Sequence, residues 1–175
     1  MLEQKIKSVI RDVADFPKPG IVFKDITPIL HNQSLCNEIV NEFAATMANK
    51  NIHAIVGVES RGFLFGFALA NKLNIPFVLA RKAGKLPYKK IQYEYDLEYG
   101  SSVLEMQIED IQPNWNVVVH DDLLATGGTA FAAAKLIEMQ NANVAGFTFL
   151  VELDFLKGKE KLQQITSDIT SIVKY

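Results

Sequence analysis

One cysteine, Cys36, among 175 residues leaves no internal disulfide to staple a fold. It falls in an apolar-periodic segment and reads as a small buried hydrophobe. Neither sign of charge dominates, since 18 Lys and Arg stand against 20 Asp and Glu for a net charge of −2. That interspersed balance excludes the electrostatic footprint of a nucleic-acid binder or of a protein held on an anionic membrane surface. Long hydrophobic runs are missing too. The opening MLEQKIKSVI lacks the apolar core of a signal peptide, and the longest apolar run elsewhere is broken by Glu59 and Arg61. These absences point to a soluble, cytoplasmic protein with no membrane or nucleic-acid partner. No internal repeat, low-complexity tract or linker is seen, and 49% apolar residues suffice at this length for one buried core, so a single domain over 1–175 is expected. Two common glycine-loop signatures are absent as well: there is no G-x-x-x-x-G-K-[ST] for a nucleoside triphosphate and no G-x-G-x-x-G after a strand for a dinucleotide.

What the chain does have is concentrated in residues 116–130, NVVVHDDLLATGGTA. Asn116-Val117-Val118-Val119 is a β-branched run of the kind buried on both faces of a parallel sheet. The strand is expected to end at Asp121 and Asp122, two carboxylates at the edge where open α/β sheets bind ligands. Ala125-Thr126-Gly127-Gly128-Thr129 then loosens the backbone, because glycine takes positive φ without a Cβ penalty, and leads into a helix over 130–139. The first turn of a helix has free N–H groups and a partial positive charge. A glycine loop ahead of it can wrap a phosphoryl oxygen in backbone donors, with Thr126 and Thr129 adding hydroxyls. Neighbouring aspartates are poor phosphate ligands but good acceptors for a pair of sugar hydroxyls. Together the stretch asks for a ribose 5′-phosphate, although taken alone it also fits an ordinary βα turn with solvated aspartates.

The apolar strand, two acids and short loop ending in Thr126-Gly127-Gly128-Thr129 resemble the phosphoribosyl-pyrophosphate-binding motif of the type I phosphoribosyltransferases. In the form Asp121-Asp122-Leu123-Leu124-Ala125-Thr126-Gly127-Gly128-Thr129 the stretch is most similar to the adenine branch of that family. His120 departs from the aliphatic residue usual before the acids and reads as packed or paired rather than catalytic. The resemblance implies an α/β fold: a parallel-sheet core with helices on both faces, a β-hairpin with a flexible loop, and a small N-terminal hood. Residues 1–33 would form the N-terminal helix and hood, and 34–175 the α/β core.

Other blocks fit the same frame. Leu2, Ile6, Val9, Ile10 and Val13 recur at helical spacing, so the opening segment is expected to be an amphipathic helix ending before Phe16-Pro17. Residues 15–28 carry three prolines and a glycine among apolar residues, which excludes regular helix and central strand and suggests a cover. The segment is similar to the hood that relatives place over the purine, which implies adenine contacts from Val22, Phe23 and Lys24, with Lys24 standing where many relatives have arginine. Ser34 is expected to cap a helix running to about residue 49. A buried strand over 53–58 then opens into Glu59-Ser60-Arg61-Gly62 and a helix over 63–73, a second strand-to-helix junction suited to an anion. Relatives hold pyrophosphate there. Without the resemblance, Arg61 could simply pair with Glu59 on the surface.

The strand over 76–80 is expected to deliver Arg81, Lys82 and Lys85 into a basic loop, with a mobile closing segment over 88–92. Arg81-Lys82-Ala83-Gly84-Lys85-Leu86-Pro87 resembles the family's catalytic-loop entry, which implies pyrophosphate contacts from Ser60, Arg61, Arg81, Lys82 and Lys85. A hairpin over 93–108 carries Leu97-Glu98-Tyr99-Gly100, and strands over 144–153 and 168–173, with a short helix over 157–162, complete the chain. The resemblance makes Glu98, Arg61 and Lys85 catalytic and adds Leu123 to the adenine contacts. It gives the ribose 5-phosphate to Asp121, Asp122, Ala125, Thr126, Gly127, Gly128 and Thr129. The implied reaction joins adenine to phosphoribosyl pyrophosphate in a homodimer, with Mg2+ held mainly by substrate and not directly by protein. The rival readings are a phosphoribosyltransferase for another nucleobase and a non-catalytic regulator that senses phosphoribosyl pyrophosphate.

Overall fold

The computed structural model describes residues 1–96 and 100–175. Leu97, Glu98 and Tyr99, and with them the role expected of Glu98, lie outside the described residues. In chain order the elements are α1 (Leu2–Val9), β1 (Arg11–Ala14), β2 (Val22–Asp25), a short 3-10 helix (Thr27–His31), α2 (Gln33–Thr46), β3 (Ala54–Val58), α3 (Gly62–Leu73) and β4 (Phe77–Lys82). Then come β5 (Lys90–Asp96), β6 (Ser101–Gln107), β7 (Asn116–Leu124), α4 (Gly128–Glu138), β8 (Asn143–Glu152), a 3-10 turn (Asp154–Leu156), α5 (Gly158–Leu162) and β9 (Ile169–Lys174).

Seven strands form one sheet in the order β5-β6-β4-β3-β7-β8-β9. β4, β3, β7, β8 and β9 are parallel, and the β5–β6 hairpin adds itself antiparallel along β4. The expected α/β core is therefore borne out as a mostly parallel sheet. β3 and β7 carry the β-branched runs because both of their faces are covered. On one face Ile6, Ile39, Phe43, Phe65 and Leu69 from α1, α2 and α3 cluster with Ile55, Val118 and Leu150. On the other, Ala133, Leu136 and Ile137 of α4 and Leu162 of α5 cluster with Val56, Val117, Val119 and Phe147. From β3 the chain crosses to β4 on one side, whereas from β7 it crosses to β8 on the other. The gap outside the carboxyl ends of β3 and β7 is thus the topological switch point of the sheet.

Several boundaries differ from the sequence expectation. The opening helix stops at Val9, and Val13 lies in β1 opposite Phe23 of β2. A two-stranded hood sheet outcompetes one more helical turn, because its backbone groups find partners across the ladder. The second helix is capped by Asn32, whose Oδ1 accepts from the Leu35 N–H at 3.1 Å, and Ser34 sits inside the first turn. β4 runs on through Arg81 and Lys82, which pair with Glu105 and Leu104 instead of entering a loop. Lys90, Ile91 and Gln92, expected in a mobile closing segment, belong to β5, where Lys90 and Gln92 both reach the buried Glu105. β7 does not end at the acids either, but continues to Leu124, opposite Glu152 of β8.

Gly57, in the middle of β3, explains how α3 lies so close to the sheet. Its missing side chain leaves room for the Phe77 ring, which a Cβ at position 57 would overlap. Phe77 in turn meets Phe63 and Phe67 of α3 edge-on at 6.1 and 5.8 Å. Gly57→Val is expected to displace Phe77 and to cost roughly 1–3 kcal/mol of stability, the usual price of overpacking. Urea denaturation checks this, and an unchanged midpoint would show that Phe77 has somewhere else to go.

Candidate functional site

At the switch point the ends of β3 and β7 meet. Arg61, just before α3, places Nε 2.9 Å from Oδ2 of Asp122, whose side chain is almost fully buried. Their charges touch, but the N–H is angled off that oxygen, which has no hydrogen-bond partner among the described residues. α3 can begin this close to β7 because residue 62 is glycine: a Cβ there would lie 2.9 Å from both the Asp121 carboxyl and the His120 carbonyl.

The hood lies over this junction. The Phe23 ring covers the Arg61 guanidinium at 4.8 Å and is braced edge-on by Phe16 at 5.1 Å. Val22 beside it is exposed. Lys24, the residue that departs from the family's arginine, is committed elsewhere: its ammonium bonds Asp12 at 2.8 Å and stands 4.0 Å over the Tyr175 ring. Leu123 is half-buried against the cluster of α1, α2 and α3 and also lines the cavity of the glycine loop.

That loop follows β7 directly. Gly127 has φ +78° and caps α4, and the first intrahelical bond runs from the Phe131 N–H to the Gly127 carbonyl. The N–H groups of the turn ahead of Phe131 are thus not spent on that ladder. Asp121, Leu123, Leu124, Ala125, Thr126, Gly127, Gly128 and Thr129 line a cavity of about 70 Å³ together with Ala130 and Phe149. A pocket that engulfs a drug-sized ligand has about 300–1,000 Å³, so this one has the scale of a small anion. The Thr129 hydroxyl is 3.3 Å from the Tyr95 hydroxyl of β5, which ties the hairpin to the loop, while Thr126 is exposed.

The acids carry an unusual charge state. Burial, and after it the neighbouring Asp122, push the Asp121 carboxyl well above the usual carboxylate range. Burial raises Asp122 as well, against the opposing pull of Arg61. His120 is fully buried, with Nδ1 3.0 Å from the Thr148 hydroxyl and its ring edge-on to Phe43 at 5.1 Å. Burial pulls its pKa down to about 3, so it stays a neutral packing residue.

The basic residues gather around Glu59 rather than around Arg61. Glu59 accepts from Arg81 Nε at 3.2 Å, Arg81 Nη2 at 3.3 Å, Lys85 Nζ at 2.6 Å and the Lys82 backbone N–H at 3.0 Å. Burial alone would raise its pKa, but the bonds from Lys85, Arg81 and the Lys82 amide outweigh it and lower the value to about 2. The surface pairing considered for Arg61 with Glu59 is replaced by the contact with Asp122. Ser60 is exposed between the two.

Two features of the site were not legible in the sequence. Glu59 closes a strand in which all five residues are buried, and a carboxylate there signals a partner, but its partners come from residues 81–85. Gly158 lies thirty residues from the glycine loop, yet a Cβ on it would collide with the Ala125 carbonyl and stand 3.0 Å from the Gly127 nitrogen. A Cβ on Gly127 would likewise be 2.7 Å from the Gly158 carbonyl. The two backbones are packed face to face, and no sequence spacing announces it.

An acid pair and a glycine-capped helix on one side of a switch point, with a cation cluster on the other, define a phosphosugar-handling α/β enzyme. The phosphoribosyl transferase domain family matches residues 25–173, and the chain belongs to it. Its relatives within that family are adenine phosphoribosyltransferases. The one from Cytophaga hutchinsonii is 48% identical over 175 residues, 100% of this chain and 97% of the relative. The crystal structure of adenine phosphoribosyltransferase from Thermoanaerobacter pseudethanolicus superposes with a TM-score of 0.95 at 44% identity, covering 100% of both chains. The Saccharomyces cerevisiae enzyme, complexed with adenine and an imino-altritol bisphosphate, superposes at 0.91 with 40% identity and 98% of each chain covered.

Two outcomes follow from the site geometry. The folded pKa of Asp121 is raised above its unfolded value, so its contribution to stability is most favourable at low pH and is lost as pH rises through the folded pKa. Asp121→Asn should therefore melt higher than the parent at neutral pH, with the gap closing on acidification, and should bind phosphoribosyl pyrophosphate more weakly. A variant that melts lower at neutral pH would refute the strained-acid account. Gly158→Val and Gly127→Val should both weaken AMP binding, because each drives the same two backbones apart. AMP titration checks this, and normal binding by Gly158→Val would show that the loop does not need that contact.

Proposed function

We propose that this chain transfers the 5-phosphoribosyl group from phosphoribosyl pyrophosphate to adenine, forming AMP and pyrophosphate. The observation that carries the reading is the meeting of Arg61 with Asp122 across the switch point, because it joins the acid pair, and the glycine loop that follows it, to the segment after β3 whose Glu59 holds the cation cluster. In this reading the free N–H groups of residues 128–130, with Thr126 and Thr129, take the 5-phosphate. Asp121 and Asp122 take the ribose hydroxyls, and their negative charge lies beside a sugar that becomes oxocarbenium-like. Ser60, Arg61, Arg81, Lys82 and Lys85 take the pyrophosphate and balance its charge as it leaves. Phe23 and Val22 of the hood cover the base, with Leu123 beneath. Lys24 helps indirectly, by fixing the hood through Asp12 and Tyr175.

Arg61 already stands against Asp122, so the pair suits ribose hydroxyls better than a dehydrated divalent ion. Magnesium is therefore proposed to ride in on the substrate's own oxygens, where it supplies neutralisation of the departing anion. A homodimer is proposed on the exposed Leu64 and Phe67 of α3, an apolar strip suited to a second copy. A cytoplasmic setting is proposed from the one free cysteine, Cys36, which gives no disulfide framework of the kind secreted domains use; among the described residues no helix is long and apolar enough to cross a membrane.

Glu98 completes the proposal as the group that hydrogen-bonds N7 of the base or takes a proton there, on its similarity to the family's Leu-Glu-Tyr-Gly block. The reading is tested by incubating labelled adenine, phosphoribosyl pyrophosphate and magnesium with the protein, beside hypoxanthine, guanine, xanthine and uracil. AMP from adenine alone is expected; no turnover, or preference for another base, would overturn it. Glu98→Gln should lower turnover by ~10²–10⁴-fold, the range for loss of a positioned general base, and leave phosphoribosyl pyrophosphate affinity nearly unchanged. Loss of that affinity instead would move Glu98 to the phosphate side.

A further inference from the structure

Glu59 is absorbed by no part of the reaction just described. It stands at the end of β3 with its side chain 7% exposed, and four donors from residues 81–85 converge on it. Resting on the reading that Arg81, Lys82 and Lys85 face the pyrophosphate, we infer that Glu59 is the positioning residue of that half of the site, presetting those donors before substrate arrives. A carboxylate has about four lone-pair sites, and here four donors take them. Glu59 has no capacity left for substrate and acts only through its neighbours.

The cations keep theirs. Arg81 and Lys85 side chains are 30% and 50% exposed, so each turns part of its charge outward while Glu59 grips it from beneath. Arg81 is held further by Nη1 donating to the Lys85 carbonyl at 3.2 Å, which ties the guanidinium to the loop that carries the second cation. Without the carboxylate, two like charges would repel across a short gap and regain the rotamer freedom of two long side chains. Ordering them would then fall to the substrate, and a pre-ordered pair removes that cost. A carboxylate acting instead as a rival anion for the same cations would have the opposite effect, because its removal would tighten pyrophosphate binding.

The test compares Glu59→Gln, Lys85→Ala and the parent in steady-state kinetics, thermal melting and titration with magnesium pyrophosphate. Glu59→Gln should raise the pyrophosphate Kd and the KM for phosphoribosyl pyrophosphate by roughly tenfold or more, the scale of losing a charge-assisted hydrogen bond, and leave the KM for adenine unchanged. A purely structural role would lower the melting temperature without splitting the two KM values, and that outcome overturns the inference. Unchanged or tighter pyrophosphate binding in the folded variant overturns it as well. Should Glu59→Gln fail to fold, Glu59→Asp, which keeps the charge but withdraws it by one methylene, must show the same weakening, and normal pyrophosphate affinity there is fatal. Lys85→Ala separates the two levels. If it leaves pyrophosphate binding intact, the reading of the basic cluster fails and the inference with it; if it weakens binding while Glu59→Gln does not, only the role of Glu59 is lost.

Discussion

Arg61, between β3 and α3, and Asp122 of β7 are sixty-one residues apart in sequence but lie at the ends of adjacent strands, and their contact at 2.9 Å organises the carboxyl edge. Asp122 is nearly buried, and a buried carboxylate without a cation nearby would be neutral or would unfold the strand end. Arg61 is held there from the other side by Phe23, so the hood, the start of α3 and the end of β7 are joined through one guanidinium. Gly62 makes the approach possible because any Cβ would strike the Asp121 carboxyl. Charge, hood and glycine thus depend on one another, and none of the three is explained by its own segment.

The two halves of the site solve the same problem by different means. On the glycine-loop side the donors are backbone N–H groups, fixed by the left-handed Gly127 and by the close approach of Gly158, and they need no counter-charge because a helix terminus carries only partial charge. On the basic side the donors are full charges on flexible side chains, and the structure surrounds Glu59 with them. The acid pair between the halves is left strained. Burial without full compensation raises both carboxyls, the pattern that marks a candidate functional site.

The β5–β6 hairpin links these halves. Its Tyr95 reaches Thr129 of the glycine loop, while Lys90 and Gln92 bind the buried Glu105 on the strand that pairs with Arg81 and Lys82. Lys90 and Gln107 also hold the Leu86 and Pro87 carbonyls, so the basic loop hangs from the same ladder. The loop is consequently shorter than its polar composition suggests. Polar residues at 90–92 look solvated in isolation and become strand once a buried carboxylate waits opposite them.

Strands β3, β7 and β8 were readable because runs such as Val117-Val118-Val119 serve both sheet faces, and local composition alone encodes that. The glycine loop was readable because positive φ at Gly127 is a one-residue property. Val13 has helical spacing to the residues before it, and only the ladder to Phe23 places it in a strand. Glu59 and Gly158 could not have been found, since the groups that give them meaning arrive from residues 81–85 and 125–127 across the fold. The sequence by itself determined which segments could be buried and where the backbone could turn, because those are local costs of burial and dihedral strain. Tertiary structure alone decided which charges meet, because Coulomb contact and backbone approach depend on distances that chain order does not contain.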